Sequence, residues 1–232
     1  MGAQWKHKGR TDAATAKGRL FTKLVKEIMV SAKTGPDPTG NPRLRIALEA
    51  AKKASMPRDT LERAIKKGAG LLDEVVNYEV VTYEGFAPHQ VPVIVECLTE
   101  NKNRTATNIR LLFRKGQLAT SGAVSWDFKR QGVIEATPPA EGTDPETAAI
   151  ENGAQELEPA EEGATRFFTD ATELDSVGRA LTAAGWHIRA SNQQWIAKNP
   201  VALEGDARHE VETFLGDLDE DDDVQHIFVG LK

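Results

Sequence analysis

The sequence has only one cysteine, Cys97, so no disulfide can form within the chain and the cysteine pattern does not indicate secretion. Long apolar runs are also missing: no stretch approaches the roughly 20 residues that a membrane-spanning helix needs. Residues 1–19 are polar and basic, which does not fit a signal peptide. We therefore expect a cytoplasmic protein that does not contact a membrane.

Recognisable catalytic motifs are missing as well. The sequence has no Walker or Rossmann glycine loop, no Gly-x-Ser-x-Gly elbow and no histidines at metal-ligand spacing. Cys97 lies in an apolar stretch, where a lone cysteine is commonly a core residue. The acidic residues 219–223 lack the ligand spacing of an EF-hand loop and are predicted to form a solvated turn. The sequence therefore predicts a protein that is not an enzyme, with no metal, cofactor or small-molecule substrate.

Charge is distributed unevenly along the 232 residues, whose formal net charge is −6. Residues 1–70 hold 16 Lys or Arg against 6 Asp or Glu, a net charge of +10. Residues 131–232 hold 6 basic against 22 acidic residues, a net charge of −16. Because a basic surface attracts a polyanion and an acidic one repels it, we expect the first 70 residues to bind DNA or RNA.

Apolar periodicity predicts three helices in this basic segment, over residues 16–33, 43–54 and 57–68. Asn41 and Pro42 provide the cap and the first residue of the second helix. On the first helix, a basic stripe lies opposite the apolar face, with only one acidic neighbour, and we expect it to face solvent. The stripe consists of Arg19, Lys23, Lys26 and Lys33.

The rest of the chain alternates between strands and helices. Strands are predicted at 78–83, 91–98, 123–126, 132–136, 155–158, 164–168, 186–196 and 224–229, with a helix at 172–184 that Asp170 caps. From residue 128 to 198 the order is β-α-β-β-α-β, the ferredoxin-like signature. We therefore predict an α+β fold in which an N-terminal three-helix domain precedes two α+β domains. The last of these, ferredoxin-like, is inserted into the middle one. The predicted domains are 1–76, 77–127 plus 199–232, and 128–198.

The candidate nucleic-acid contacts are mostly cations of the basic segment, because clustered Lys and Arg neutralise phosphates. In the leader, Trp5 has two interpretations: it stacks on an exposed base, or it anchors the leader to the helices. The alternative for the whole segment is a solvated basic surface without a ligand. The candidates in this segment are Trp5, Lys6, His7, Lys8, Arg10, Lys17, Arg19, Lys23, Lys26, Lys33, Arg43, Arg45, Arg58, Lys66 and Lys67.

A second candidate site is the polar segment 101–105, which joins the most apolar strand to an amphipathic helix. A helix N-terminus attracts phosphate, and Lys102 and Arg104 would add positive charge there. The alternative is that Asn103 or Thr105 only caps the helix. Both interpretations remain open at this point.

Several short motifs are distributed over nearly the whole chain. They lie at residues 17–24, 41–45, 56–59, 62–68, 83–86, 95–105 and 120–122 and in the acidic run before Val224. Taken together, these motifs resemble the YebC/PmpR family, bacterial relatives of the mitochondrial translational activator of cytochrome oxidase. The resemblance implies three domains, nucleic-acid binding and no cofactor. Compared with the family pattern, the leader is shorter and residues 87–90 replace a glycine-rich turn.

Three functions fit these observations. The first, which the family resemblance implies, is a DNA-binding transcriptional regulator. The second, which the resemblance also implies, is a ribosome-associated translation factor that binds ribosomal RNA and aids difficult peptide-bond formation. The third is a protein-interaction module whose acidic domains recruit a basic partner. No set of Arg, Asn or Gln is evidently placed to read bases in a major groove, which favours binding to the phosphate backbone.

Overall fold

The computed structural model describes residues 13–72 and 76–232. The chain forms two compact units: residues up to Phe128 together with Ala197–Lys232 form the first, and Lys129–Ile196 form the second. The helices are α1 (Ala13–Ala32), α2 (Pro42–Lys53), α3 (Arg58–Gly68), α4 (Lys102–Leu112), α5 (Pro145–Asn152), α6 (Leu174–Ala183) and α7 (Gly205–Asp219). The strands are β1 (Glu79–Ala87), β2 (Val91–Thr99), β3 (Gln117–Leu118), β4 (Phe128–Thr137), β5 (Glu156–Pro159), β6 (Thr165–Asp170), β7 (His187–Ala197) and β8 (Val224–Val229).

Helices α2 and α3 both pack against α1. Asn41 fixes the connection between α1 and α2, because its side chain accepts a hydrogen bond from the Leu44 amide and donates to the Ser31 and Gly35 carbonyls. Gly68 allows α3 to approach closely, since a Cβ there would lie 2.3 Å from the Met29 carbonyl oxygen. The buried apolar residues of this cluster are Ile28, Met29, Ala32, Leu44, Ala47, Leu48, Ala51, Met56, Leu61 and Ala64.

The first sheet has the strand order β3-β1-β2-β8, and its neighbouring strands are antiparallel. Strand β2 is central and almost wholly buried, as its apolar sequence predicts. Helices α4 and α7 contribute to the core of this sheet. Its main buried side chains are Val91, Val93, Val95, Ile109, Phe113, Val211, Phe214, Leu215 and Leu218.

The second unit has the strand order β5-β6-β4-β7. Its first and third strands therefore lie side by side at the centre, which is the ferredoxin-like arrangement expected from the β-α-β-β-α-β order. Phe167 and Trp186 pack edge to face in its core, with ring centroids 5.0 Å apart. The predicted α+β fold class is confirmed. None of the helices in the described part of the chain is long and apolar enough to cross a membrane.

Two local predictions are wrong. Residues 123–126 do not form a strand: they belong to a loop that ends in a short 3-10 turn, Ser125–Asp127. The amides of Val124 and Ser125 are bound by a carboxylate, so they are not available to a neighbouring strand. The helix predicted from residue 172 begins at Leu174, because Asp170 binds the amide and hydroxyl of Thr172 in a turn that precedes it.

Candidate nucleic-acid interface

The basic stripe of α1 contacts the acidic turn, residues 219–223, which connects α7 to β8. Lys23 donates to both the carboxylate and the main-chain oxygen of Asp219, each at 2.8 Å. A guanidinium nitrogen of Arg19 lies 3.1 Å from a carboxylate oxygen of Glu220. The expectation that the stripe faces solvent is therefore wrong for these side chains, because their charges meet carboxylates of the same chain.

Asp223 is the centre of this contact and is the most buried part of it. Its side chain is 5% exposed and accepts hydrogen bonds from Lys26 Nζ at 2.8 Å and from Thr105 Oγ1 at 2.9 Å. Arg104 donates through one nitrogen to both carboxylate oxygens, at 3.1 and 2.9 Å. The predicted solvated turn thus fits exposed Asp222 but is wrong for Asp223.

The charge of Asp223 is maintained by these donors. Burial alone would raise the pKa of its carboxyl group, but the hydrogen bonds from Lys26, Arg104 and Thr105 outweigh burial and lower that pKa. The Lys26 ammonium likewise has several hydrogen-bond acceptors. It also donates to the main-chain oxygens of Leu98 and Asp222, at 3.2 and 2.7 Å.

The start of α4 has its own internal partners. Asn101 caps the helix by accepting a hydrogen bond from the Arg104 amide at 3.1 Å, so the cap is neither Asn103 nor Thr105. Lys102 forms an exposed ion pair with Glu79 at 2.5 Å. Since Arg104 binds Asp223, both cations proposed for phosphate contact are paired within the chain.

The outward faces of α2 and α3 differ from the stripe, because several of their cations are exposed and form no ion pair within the described residues. We call this set the α2–α3 cations. At 100° per residue, Lys53, Arg63 and Lys66 lie opposite the buried residues of their own helices, whereas Arg45 and Lys52 lie roughly a quarter turn to one side of them. The set consists of Arg45, Lys52, Lys53, Arg63 and Lys66.

The other candidates of the basic segment have mixed surroundings. Arg43 pairs with Glu27 and Arg58 with Glu62, each at 2.8 Å, although both arginine side chains remain well exposed. Lys33 is exposed and lies 3.5 Å from the side-chain oxygen of Asn77.

The remaining candidates were Lys17, Lys67 and the leader. Lys17 lies over the Phe21 ring at 5.4 Å, and Lys67 is partly buried and has interaction partners. The leader candidates Trp5, Lys6, His7, Lys8 and Arg10 lie outside the described residues.

Sequence reasoning did not select Lys52, Lys53 and Arg63 as candidates. A helical projection of α2 and α3 could have identified them, because it places Lys53 and Arg63 opposite the buried residues of their helices and Lys52 beside them. The stripe on α1 was selected on the same principle, but there the projection was misleading. It places charges on a face without revealing what packs against that face.

Two family models together match nearly the whole chain. One, described as the TACO1/YebC protein N-terminal domain, matches residues 3–71. The other, described as the TACO1/YebC second and third domain, matches residues 78–231. The first therefore includes the three helices, and the second includes both sheets.

Individual relatives agree with this match. A protein of Pseudomonas syringae pv. syringae named "Probable transcriptional regulatory protein" is 60% identical over 232 residues, covering 100% of this chain and 99% of the relative. A relative with the same description from Bdellovibrio bacteriovorus is 50% identical over 231 residues, 98% of each chain. The crystal structure of a conserved hypothetical protein from Aquifex aeolicus superimposes with a TM-score of 0.80 at 40% identity, covering 99% of this chain and 96% of that one.

Proposed function

Because the chain belongs to the TACO1/YebC family, whose relatives above are named probable transcriptional regulatory proteins, we propose that it is a non-enzymatic regulator that binds nucleic acid. We assign the contact to the α2–α3 cations, assisted by the basic leader. The observation that carries this assignment is the difference between the helices of the basic segment. Most of the α1 stripe is paired with the acidic turn, whereas the α2–α3 cations face solvent.

The chemistry of these faces favours contact with phosphates over reading of bases. Neither α2 nor α3 contains an Asn or a Gln, the side chains that recognise adenine. Lysine and arginine on exposed helix faces neutralise backbone phosphates and release counterions, so binding should weaken steeply as salt increases.

DNA and RNA both have a phosphate backbone, and which of them the protein binds distinguishes two regulatory roles. Binding to duplex DNA would fit a transcriptional regulator, which we put first because of the relatives' names. Binding to structured RNA would fit a ribosome-associated translation factor, which the lack of Asn and Gln on α2 and α3 also allows.

The only cysteine supports the non-enzymatic proposal. Cys97 is 1% exposed within β2. Burial, followed by the nearby charges of Asp221 and Asp223, raises the pKa of its thiol to about 12. Since the thiolate is the reactive form, this residue suits a packing role and not nucleophilic attack.

The test is a titration of the full chain against labelled DNA and RNA duplexes at several salt concentrations. Each cation that contacts phosphate should contribute roughly 0.7–0.9 to the log–log salt slope. We expect the double variants Arg45→Gln/Lys52→Gln and Arg63→Gln/Lys66→Gln each to weaken binding and to flatten that slope.

The matched control is Arg110→Gln/Arg179→Gln, which removes two exposed positive charges from α4 and α6. The affinity of this control should be almost that of the unaltered protein. Any loss of affinity would come only from the change in net charge. Equal losses in all three double variants would refute the assignment to α2 and α3. Absence of binding to every nucleic acid would refute the proposed function.

A further inference from the structure

Trp126 is an exposed aromatic side chain that neither the fold nor the cationic surface explains. Its side chain is 69% exposed, whereas Trp186 is 3% exposed in the core of the second unit. Trp195 is partly buried and lies beside Arg130, whose guanidinium is 5.7 Å from the ring centroid. Exposing so large an apolar ring to water is unfavourable, so a ring held in this way indicates a binding role.

The loop that carries this ring, residues 119–127, is fixed by contacts with buried side chains. The buried carboxylate of Glu84 accepts hydrogen bonds from the amides of Gly122, Val124 and Ser125, at 2.8, 2.9 and 2.9 Å. The Val124 side chain is 1% exposed and anchors the loop in the core. A ring on such a loop loses little conformational freedom when a partner binds.

The orientation of the ring is also fixed locally. The indole Nε1 of Trp126 donates to the Ala123 carbonyl oxygen at 2.9 Å. At the end of the loop, buried Asp127 accepts a hydrogen bond from the Asn199 side chain at 2.7 Å. The indole N–H is therefore already satisfied, which leaves the ring surface for stacking or apolar contact.

A cation lies beside the ring. Lys198 donates from Nζ to the main-chain oxygen of Trp126 at 2.6 Å, so an exposed ammonium lies beside this residue. The flanking segments 113–126 and 197–203 contain no Asp or Glu, although Lys115 in the first of them is paired with Asp217 at 2.6 Å. The loop's two carboxylate contacts, Glu84 and Asp127, are buried. In a chain of net charge −6, an exposed ring beside an ammonium group suits a ligand that is both aromatic and anionic.

We propose that Trp126 stacks on an unpaired base of a single-stranded nucleic acid while Lys198 contacts a neighbouring phosphate. This inference rests on the proposed function and adds a second contact to it, within the first unit but on the loop beside β1. Single strands are favoured because bases inside a duplex have no free face, whereas an unpaired base can stack on an aromatic side chain. The chemical class is an unpaired stretch of RNA or DNA.

The experiment measures the affinity of the full chain for a 12-nucleotide single strand and a 12-base-pair duplex, each as RNA and as DNA. Trp126→Ala should weaken single-strand binding on the order of tenfold without changing the salt slope, because stacking releases no counterions. Trp126→Phe should restore most of the affinity. Lys198→Gln should instead reduce the single-strand slope by roughly 0.7.

Duplex affinity should stay within about twofold for Trp126→Ala, since a stacked duplex offers it no base. The matched control is Leu111→Ala, which removes exposed apolar surface from α4, where Leu111 is 49% exposed. Thermal unfolding of each variant checks that the loop remains folded. Ultraviolet crosslinking to the single strand, followed by mass spectrometry, should place the crosslink on the peptide that contains Trp126.

Unchanged single-strand affinity in Trp126→Ala, or an equal loss in Leu111→Ala, would overturn the stacking site and leave the α2–α3 interface intact. The ring would then be better explained as an anchor for a protein partner. If the unaltered chain bound duplexes but no single strand, the stacking site alone would fail. If it bound neither, the proposed function would fail with it.

Discussion

Asp223 shows how much a single residue contributes when its carboxylate is buried among several donors. It connects β8 to α1 through Lys26 and to α4 through Arg104 and Thr105. A buried ion pair contributes modestly compared with an apolar replacement, but removing one partner leaves an uncompensated charge. The residue is therefore sensitive to a change that preserves its shape and removes its charge.

We expect Asp223→Asn to lower the free energy of unfolding by about 3 kcal/mol, because Lys26 and Arg104 would lose their common acceptor. Chemical denaturation at neutral pH measures this loss. The adjacent substitution Asp222→Asn is the control, since Asp222 is exposed and its main-chain oxygen remains to bind Lys26. If the two variants had the same stability, the network around Asp223 would not be a stabilising contact.

At the scale of elements, α1 differs from α2 and α3 in the use of its cations. Its apolar face packs on α2 and α3, and its stripe contacts the acidic turn, so both sides of the helix are occupied. The α2–α3 cations, a set that leaves out the paired Arg43 and Arg58, form no such ion pairs in the part of the chain that the structure describes. Among the basic side chains, those of the α1 stripe should therefore contribute to stability and the α2–α3 cations to nucleic-acid binding.

This separation can be measured with two double variants that remove the same charge. Lys23→Gln/Lys26→Gln should lower the free energy of unfolding by about 3 kcal/mol, because buried Asp223 would lose its lysine partner. Arg45→Gln/Lys52→Gln should change it by less than about 0.5 kcal/mol, as is usual for surface substitutions. Equal stability of the two variants in denaturant titrations would contradict the buried role of the stripe.

At the scale of the whole molecule, two buried carboxylates should set the stability of the first unit in acid. Burial tends to raise the pKa of Glu84, but the amides of Gly122, Val124 and Ser125 outweigh it and lower that pKa. Asp223 is shifted in the same direction. A group whose pKa is lower when folded stabilises the protein above its unfolded pKa and loses that contribution as the pH falls through the folded value.

Unfolding temperatures should therefore be nearly constant from neutral pH down to about 5, and should fall as the pH drops below about 4, near the unfolded pKa of Asp and Glu. The double variant Asp223→Asn/Glu84→Gln should be less stable at neutral pH and should depend less on pH in the acid range. Parallel acid profiles for the variant and the unaltered protein would show that other groups control the transition. Thermal scans across this pH range provide the measurement.

The sequence by itself determined the elements and the fold class, because these depend on local patterns. The proline and Asn cap of α2, the apolar run of β2 and the strand order of the second unit follow from chemistry within a few residues or from element order. Even there the pattern failed at residues 123–126. The apolar alternation resembled a strand, but the carboxylate that binds the loop amides comes from Glu84, far away in the sequence.

Only the tertiary structure decided which basic residues remain available to a ligand. The helical projection of α1 separates its apolar face from its charged face, but Lys26 meets Asp223 across 197 positions of sequence. The acidic turn was therefore predicted to be solvated and the stripe exposed, when each is the partner of the other. Periodicity shows which side chains share a face, whereas burial of a charge depends on which distant segment supplies the opposite charge.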